Sequence, residues 1–292
     1  MWWHQEEGNN NMDLMEENQE INSYAPVSVI IPCYNCEDSI LRAVNSVIDQ
    51  TWKPKEIILV NDGSKDNTLE ILGKLQKKFG RDWIKIINLP ENKGPSSARN
   101  AGWDIATQPY VAFLDADDAW HPDKIRVQLN YMLEHQDIVL TGHKVKYINS
   151  SYNVDVTPIV YNYAVKNISP LQLLIRNRFS TPSVILKNEI PFRFEYTKRF
   201  SEDYLLWLNI VFSGYKAVIL ELELAYLFKA PYGEGGLSSN LWKMELGELD
   251  TLRRICTLYK LNKAIWYLVA SYSFMKFASR WIKCNIFNRR NR

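Results

Sequence analysis

From Val27 to about Tyr147 the chain alternates two patterns. Short, continuously apolar runs are separated by longer segments whose apolar residues recur every three or four positions. Val27–Ile31, Glu56–Val60, Trp83–Asn88, Tyr110–Leu114 and Ile138–Thr141 read as strands. Residues 37–49 read as a helix with Ile40, Val44, Val47 and Ile48 on one face. Residues 66–79 read as a second helix, with Leu69, Leu72, Leu75 and Phe79 as its stripe. Gly94-Pro95 opens a third, with proline where its missing N–H costs nothing, and 122–134 form a fourth. Apolar strands separated by helices of this length predict an α/β fold with a mostly parallel central sheet covered on both faces. Ligands of such sheets bind beyond the carboxyl ends of the strands. The polar residues directly after each strand are therefore the ones to read for chemistry.

The second half is less regular. Residues 169–176 and 202–212 predict helices, and 182–186, 216–220 and 225–228 predict strands. A glycine-rich loop spans 226–240, with Lys229 as its one base. Residues 241–258 and 262–283 predict a C-terminal helical extension. On a helical wheel Trp266, Ala270, Phe274, Phe277 and Trp281 share a sector flanked by Lys276, Arg280 and Lys283. Such a face suits either a membrane interface or docking on the domain with a solvated basic edge.

Charge sharpens this division. The 292 residues carry 35 Lys+Arg and 33 Asp+Glu, a formal net charge of +2. Residues 1–26 hold six acids and no Lys or Arg; residues 241–292 hold eleven bases and three acids. The expected organisation is a disordered acidic leader (1–26), a neutral body (27–240, divided near 150) and a basic amphipathic tail (241–292). Apolar residues at 46% and charged residues at 23% exclude a disordered chain. The leader lacks the basic and apolar regions of a secretory signal, and no apolar run is long enough to span a membrane. With four cysteines and no export signal, a cytoplasmic location is expected, peripheral on the inner face of the cell membrane if the tail binds lipid. Cys33 and Cys36 lack a second pair nearby and read as reduced thiols. The basic tail carries no nucleic-acid-binding motif, so no nucleic acid partner is expected.

Three turns carry candidate chemistry. Pro32-Cys-Tyr34-Asn follows the first strand, Asn61-Asp62-Gly-Ser the second and Asp115-Ala116-Asp117-Asp118 the fourth. Three carboxylates within four residues repel one another unless a cation neutralises them. Mg²⁺ and Mn²⁺ take oxygen ligands and commonly share them with a phosphate. An acidic turn can also simply cap the following helix. Asp62 reads equally well as a turn former or as an acceptor for a base edge.

Val27–Asn35, Ile58–Thr68, Asn92–Gly102 and Phe113–Asp118, in this order and spacing, resemble the motifs of family 2 glycosyltransferases. The resemblance is strong over 27–150 and weaker to about 240. It implies a GT-A (Rossmann-like) fold and inverting transfer of one sugar from a nucleotide-sugar, UDP-linked by expectation, with a divalent metal, Mn²⁺ or Mg²⁺. It implies that Pro32 and Tyr34 line the nucleobase pocket and that Asp62 binds the base. Lys93 and Arg99 would face the nucleotide, although Arg99 could instead be an exposed helix charge or the partner of an aspartate. Asp115, Ala116 and Asp117 would form the D-x-D turn, with Asp115 on the ribose or sugar and Asp117 on the metal. The family's base comes from an acidic pair at a helix start. Glu202-Asp203 fits, with Asp203 as base and Glu202 orienting Asp203 or the acceptor. Both acids could instead serve only that helix terminus. Trp120 could stack on an acceptor sugar or sit in the core. The Gln-x-x-Arg-Trp motif of processive synthases is absent, which favours single-sugar transfer to a saccharide or lipid-linked acceptor. A nucleotidyltransferase would need a glycine-rich basic loop after the first strand, which is missing; a non-catalytic sugar-nucleotide binder is the other rival.

Overall fold

The computed structural model describes residues 24–148, 162–228 and 240–290. The expected leader lies outside the described residues except for its last three positions, and so does the glycine-rich loop from 229 to 239. Among the described residues nine strands form one sheet. They are β1 (Ala25–Cys33), β2 (Pro54–Asp62), β3 (Ile84–Leu89), β4 (Tyr110–Phe113), β5 (Asp118–Trp120), β6 (Ile138–Tyr147), β7 (Val165–Asn167), β8 (Ile185–Lys187) and β9 (Lys216–Leu227). The helices are α1 (Ile40–Ile48), α2 (Thr68–Phe79), α3 (Pro95–Asp104), α4 (Lys124–Glu134), α5 (Pro170–Ile175), α6 (Glu202–Phe212), α7 (Leu241–Leu258) and α8 (Lys263–Arg290).

The sheet runs β3-β2-β1-β4-β8-β6-β9-β5, with β7 also on β9. β3, β2, β1 and β4 are parallel neighbours. β8 lies antiparallel between β4 and β6, and β6 and β9 are parallel. The sheet is thus mostly parallel, with β5, β7 and β8 reversed. Residues 216–227 form one strand rather than two, because β6 pairs along the whole length across small register shifts.

The apolar runs explain the two-sided core. Side chains alternate across a strand, so a continuous run feeds both faces. Ile30, Ile58 and Val60 pack with Ala98, Trp103, Trp207 and Leu252 on one face. Val29, Ile31, Ile57 and Leu59 pack with Val44, Leu72, Ile125 and Leu129 on the other. α3 lies directly on the sheet at Gly102, where a Cβ would fall 2.6 Å from the Ile30 side chain. Each fully buried aliphatic side chain contributes roughly 1.5–3 kcal/mol.

The tail departs from its expected face. Val269 and Ser273 of α8 are buried, and Phe277 packs edge-on against Trp242 of α7 at 5.4 Å. Lys276 reaches Glu248 at 2.6 Å, and Arg280 reaches Glu245 at 3.0 Å. These two bases do not flank an outward face; they point inward, because the buried Glu245 and the half-buried Glu248 need cations. The outward stripe is Tyr267, Leu268, Phe274, Met275, Trp281 and Ile282. Among the described residues no helix is long and apolar enough to cross a membrane.

Candidate active site

Parallel register brings the carboxyl ends of β1, β2 and β4 to one edge, where Cys33 pairs with Asn61 and Ile30 with Phe113. Pro32 lies on β1, and Tyr34 just beyond it is half-exposed. Asn35 adopts φ 46°, and its side chain accepts from the Lys65 N–H at 2.9 Å. The Asn35 N–H donates to Ser64 Oγ at 3.1 Å, so the first two turns are knitted together.

Asp62 is buried. Its carboxylate accepts from the Lys93 and Gly94 backbone N–H groups at 2.8 and 2.9 Å. Asp62 therefore holds the loop that leads into α3. Gly63 (φ 66°) permits this approach, since a Cβ there would lie 2.5 Å from the Glu91 backbone. The Lys93 side chain is exposed, 4.0 Å from Glu91.

After β4, Asp115 and Asp117 are partly open to solvent, whereas Ala116 is buried. Asp118 is buried within β5 and so is separated from the other two. Arg42 of α1 donates to the Asp117 backbone carbonyl, and its guanidinium lies 3.8 Å from the Phe228 ring centroid. Arg42 was not foreseen from the sequence; its only signal was being the one charged residue of α1. Trp120 takes the core alternative. It is 3% exposed, donates its indole N–H to Pro182 at 2.8 Å and lies under the buried Lys124 ammonium at 4.1 Å. Burial depresses the Lys124 pKa well below the usual lysine value.

Glu202 and Asp203 open α6 behind Ser201, which is held in the left-handed region at φ 56°. Acids in a first helical turn face unpaired N–H groups, and Asp203 accepts from the Tyr204 N–H at 2.7 Å. Thr181, a second residue that sequence pattern did not single out, donates to the other Asp203 oxygen at 3.3 Å. Glu202 is buried, whereas Asp203 keeps partial solvent access. Burial pushes Glu202 up to about 7 against the opposing Arg99 charge. Burial raises Asp203 as well, opposed by Arg99 and by the hydrogen bonds from Tyr204 and Thr181.

Arg99 joins the two acidic elements. One terminal nitrogen donates to Asp115 at 2.7 Å and the other to Glu202 at 2.9 Å. Burial disfavours its charge, but the facing carboxylates, Asp115 first, hold its pKa above the usual arginine value. The expected donor turn and the expected base pair thus meet, although 103 residues separate Arg99 from Glu202. Among the described residues no three His, Cys, Asp or Glu side chains are grouped to hold a metal by themselves.

Comparison with known proteins places the chain in a family. The family model for glycosyl transferase family 2 matches residues 28–200, more than half of the chain. A UDP-Glc:α-D-GlcNAc-diphosphoundecaprenol β-1,3-glucosyltransferase of Escherichia coli, WfaP, is 32% identical over 234 residues. The match covers 78% of this chain and 86% of WfaP. TuaG of Bacillus subtilis, provisionally described as a teichuronic acid biosynthesis glycosyltransferase, is 30% identical over 269 residues, covering 88% of this chain and 96% of TuaG. The crystal structure of Staphylococcus aureus TarS residues 1–349 with UDP-GlcNAc superimposes with a TM-score of 0.65 at 22% identity, over 85% of this chain and 71% of that one. The motifs, the sheet topology, the family match and these relatives agree: the chain belongs to glycosyl transferase family 2.

Proposed function

We propose that the protein is a metal-dependent, inverting transferase that moves one sugar from a UDP-sugar to a hydroxyl of a lipid-linked or surface-glycan precursor. The observation that carries this reading is the convergence of Asp115, Arg99 and the Glu202–Asp203 pair at one sheet edge. TarS has been crystallised with UDP and with UDP-GlcNAc, and the name of WfaP specifies UDP-Glc and a diphosphoundecaprenol acceptor.

In this reading Asp203 accepts the proton of the acceptor hydroxyl as its oxygen attacks the anomeric carbon. The new C–O bond forms while the bond from that carbon to the diphosphate oxygen breaks. The electron pair leaves with the nucleoside diphosphate, and the configuration inverts. A carboxylate whose pKa is raised toward the working pH suits this task better than an ordinary one. Tyr34 and Pro32 form one wall of the nucleobase pocket, and Asp62 supports it by holding the 93–94 backbone. Asp117, a partly exposed carboxylate, would hold a hard cation that shares its oxygen ligands with a phosphate. Such a cation would offset the charge growing on the leaving diphosphate.

The outward stripe of α8 is proposed to rest on an anionic membrane surface at the cytoplasmic face. Besides the inward-facing Lys276 and Arg280, α8 carries Lys263, Lys283, Arg289 and Arg290 and no acid, which complements anionic headgroups, and its outward stripe is aromatic and aliphatic. Replacing Leu268 and Met275 together by Glu should lower co-sedimentation with phosphatidylglycerol vesicles by about tenfold or more. UDP binding should be unchanged. Retained sedimentation would remove the membrane role.

A screen of UDP-, GDP- and dTDP-sugars by thermal shift with Mn²⁺ tests the donor. A UDP-sugar should raise the melting temperature. No stabilisation by any of them would sink the reading.

A further inference from the structure

The role that the family resemblance implies for Arg99, facing the nucleotide, conflicts with its surroundings. Its side chain is 6% exposed, and both terminal nitrogens are already engaged by protein carboxylates. A guanidinium that clamps a diphosphate would need at least one free, accessible edge.

Its neighbours on α3 point the same way. Residues 96, 99, 100 and 103 share one helical face. Ser96 donates to the Lys198 carbonyl at 3.0 Å. Asn100 both donates to the Phe194 carbonyl at 2.8 Å and accepts from the Phe194 N–H at 3.0 Å. Trp103 donates to Asn188 at 2.7 Å. The Arg99 guanidinium also sits 5.3 Å from the Phe194 ring centroid. This face therefore grips the segment 188–202 along its length, and that segment ends at the acidic pair. On the far side, α7 closes against the same segment at Gly247, where a Cβ would fall 2.6 Å from Phe200.

We propose that Arg99 is a positioning residue for sugar transfer: it sets the separation between the donor-side carboxylate Asp115 and the Glu202–Asp203 pair. It does not touch the nucleotide. A fork with fixed geometry suits this task, because two carboxylates on different elements must be held at one spacing while their mutual repulsion is cancelled. Lysine supplies the charge without the fork. Asp203 gains its place through Glu202, its chain neighbour on the first turn of α6. The inference rests on the transferase reading of the site and adds a role that reading does not need.

The test compares Arg99→Gln, Arg99→Lys, Glu202→Gln and the double variant Arg99→Gln/Glu202→Gln with the unaltered protein. UDP binding is measured by calorimetry with Mn²⁺, and transfer is measured with the donor that the unaltered protein turns over. Misplacement of a reacting group by about an ångström costs about 100-fold in rate, and that is the fall in kcat expected for Arg99→Gln. The affinity for UDP and the donor KM should stay within about threefold, and Arg99→Lys should lose only about tenfold in kcat. Because Arg99 acts through Glu202, the double variant should be no slower than Arg99→Gln alone.

Two results would overturn the proposal. One is a loss of UDP affinity as large as the loss of turnover; the other is multiplication of the two single effects in the double variant. If Arg99→Gln does not fold, Arg99→Lys carries the same kcat-against-KM test. A failed role for Arg99 leaves an active, UDP-binding protein. Failure of the transferase reading instead shows in the unaltered protein, which would bind no UDP and transfer no sugar, and the role of Arg99 would fall with it.

Discussion

Two acidic elements face each other across Arg99, and they are built differently. Asp115 and Asp117 stand on a short turn after β4, partly open to water, with the Asp117 carbonyl held by Arg42. Glu202 and Asp203 stand on the first turn of a buried helix, against α3 and the 180–184 segment, with Glu202 buried and Asp203 keeping partial solvent access. The open pair suits ligands that carry their own charge, a cation and a diphosphate, because oxygen donors must remain reachable. The enclosed pair suits a proton. Desolvation raises a carboxyl's affinity for it, bringing the group closer to working pH. Similar side chains are thus suited to opposite tasks because one pair ends a strand and the other begins a buried helix.

The strongest way to break this contrast is Asp117→Asn. Transfer should fall by about 10³-fold or more, and Mn²⁺ should no longer strengthen UDP binding in calorimetry. Metal-stimulated binding that survives would move the metal role away from the open turn. Asp203→Asn should cost about 10²–10⁴-fold in kcat, the usual contribution of a positioned base, while UDP binding persists. Near-normal turnover in that variant would end the base assignment.

The pH profile sharpens the contrast further. A protonated carboxyl cannot take the acceptor's proton, so the rate must fall on the acid side. Glu202 is pushed up to about 7 and Asp203 is raised with it. The two titrate as one unit, so kcat/KM should fall about tenfold per unit once the pH is below the apparent pKa of the pair. An acid limb confined to the region of an ordinary exposed carboxylate would contradict the enclosed character of the pair. The same shifts act on folding with a definite sign. A carboxyl with a raised folded pKa binds its proton more tightly in the native state. Its stabilising contribution is present below the unfolded value and is lost as pH rises through about 7. Measured against Glu202→Gln, the melting temperature of the unaltered protein should therefore drop more between pH 5 and pH 8.

The smallest expected effect is at Thr181. Its hydroxyl donates to Asp203 and favours the charged form. Thr181→Val should move the acid limb upward and lower kcat at pH 7 by about threefold to tenfold. An unmoved limb would show that this hydrogen bond does not tune the base.

Legibility in the sequence followed the range of the forces involved. β1 to β4 and α1 to α3 were readable because apolar runs and three-to-four-residue periodicity are local consequences of side-chain direction. The positions of Tyr34, Asp62, Asp115 and Asp117 followed at once, since a parallel sheet collects its strand ends at one edge. The start of α6 at Glu202 was equally legible, because an acidic first turn before an apolar run is a local signal. β8 entering antiparallel between β4 and β6 was not, since edge-on pairing depends on which strand remains unpaired after the crossovers form. The face of α8 was misread for a similar reason. A helical wheel cannot know that Glu245 and Glu248 of α7 will claim Lys276 and Arg280.

By itself, then, the sequence determined the class of sheet, the three polar turns at its carboxyl edge and the acidic pair that begins α6. These depend on neighbours a few positions apart. Only the tertiary structure decided that Trp120 is core, that Asp62 grips the 93–94 backbone and that Arg99 spans Asp115 and Glu202. Those outcomes are settled by burial and by which charges the packed chain brings together. Neither quantity exists until elements a hundred residues apart have met.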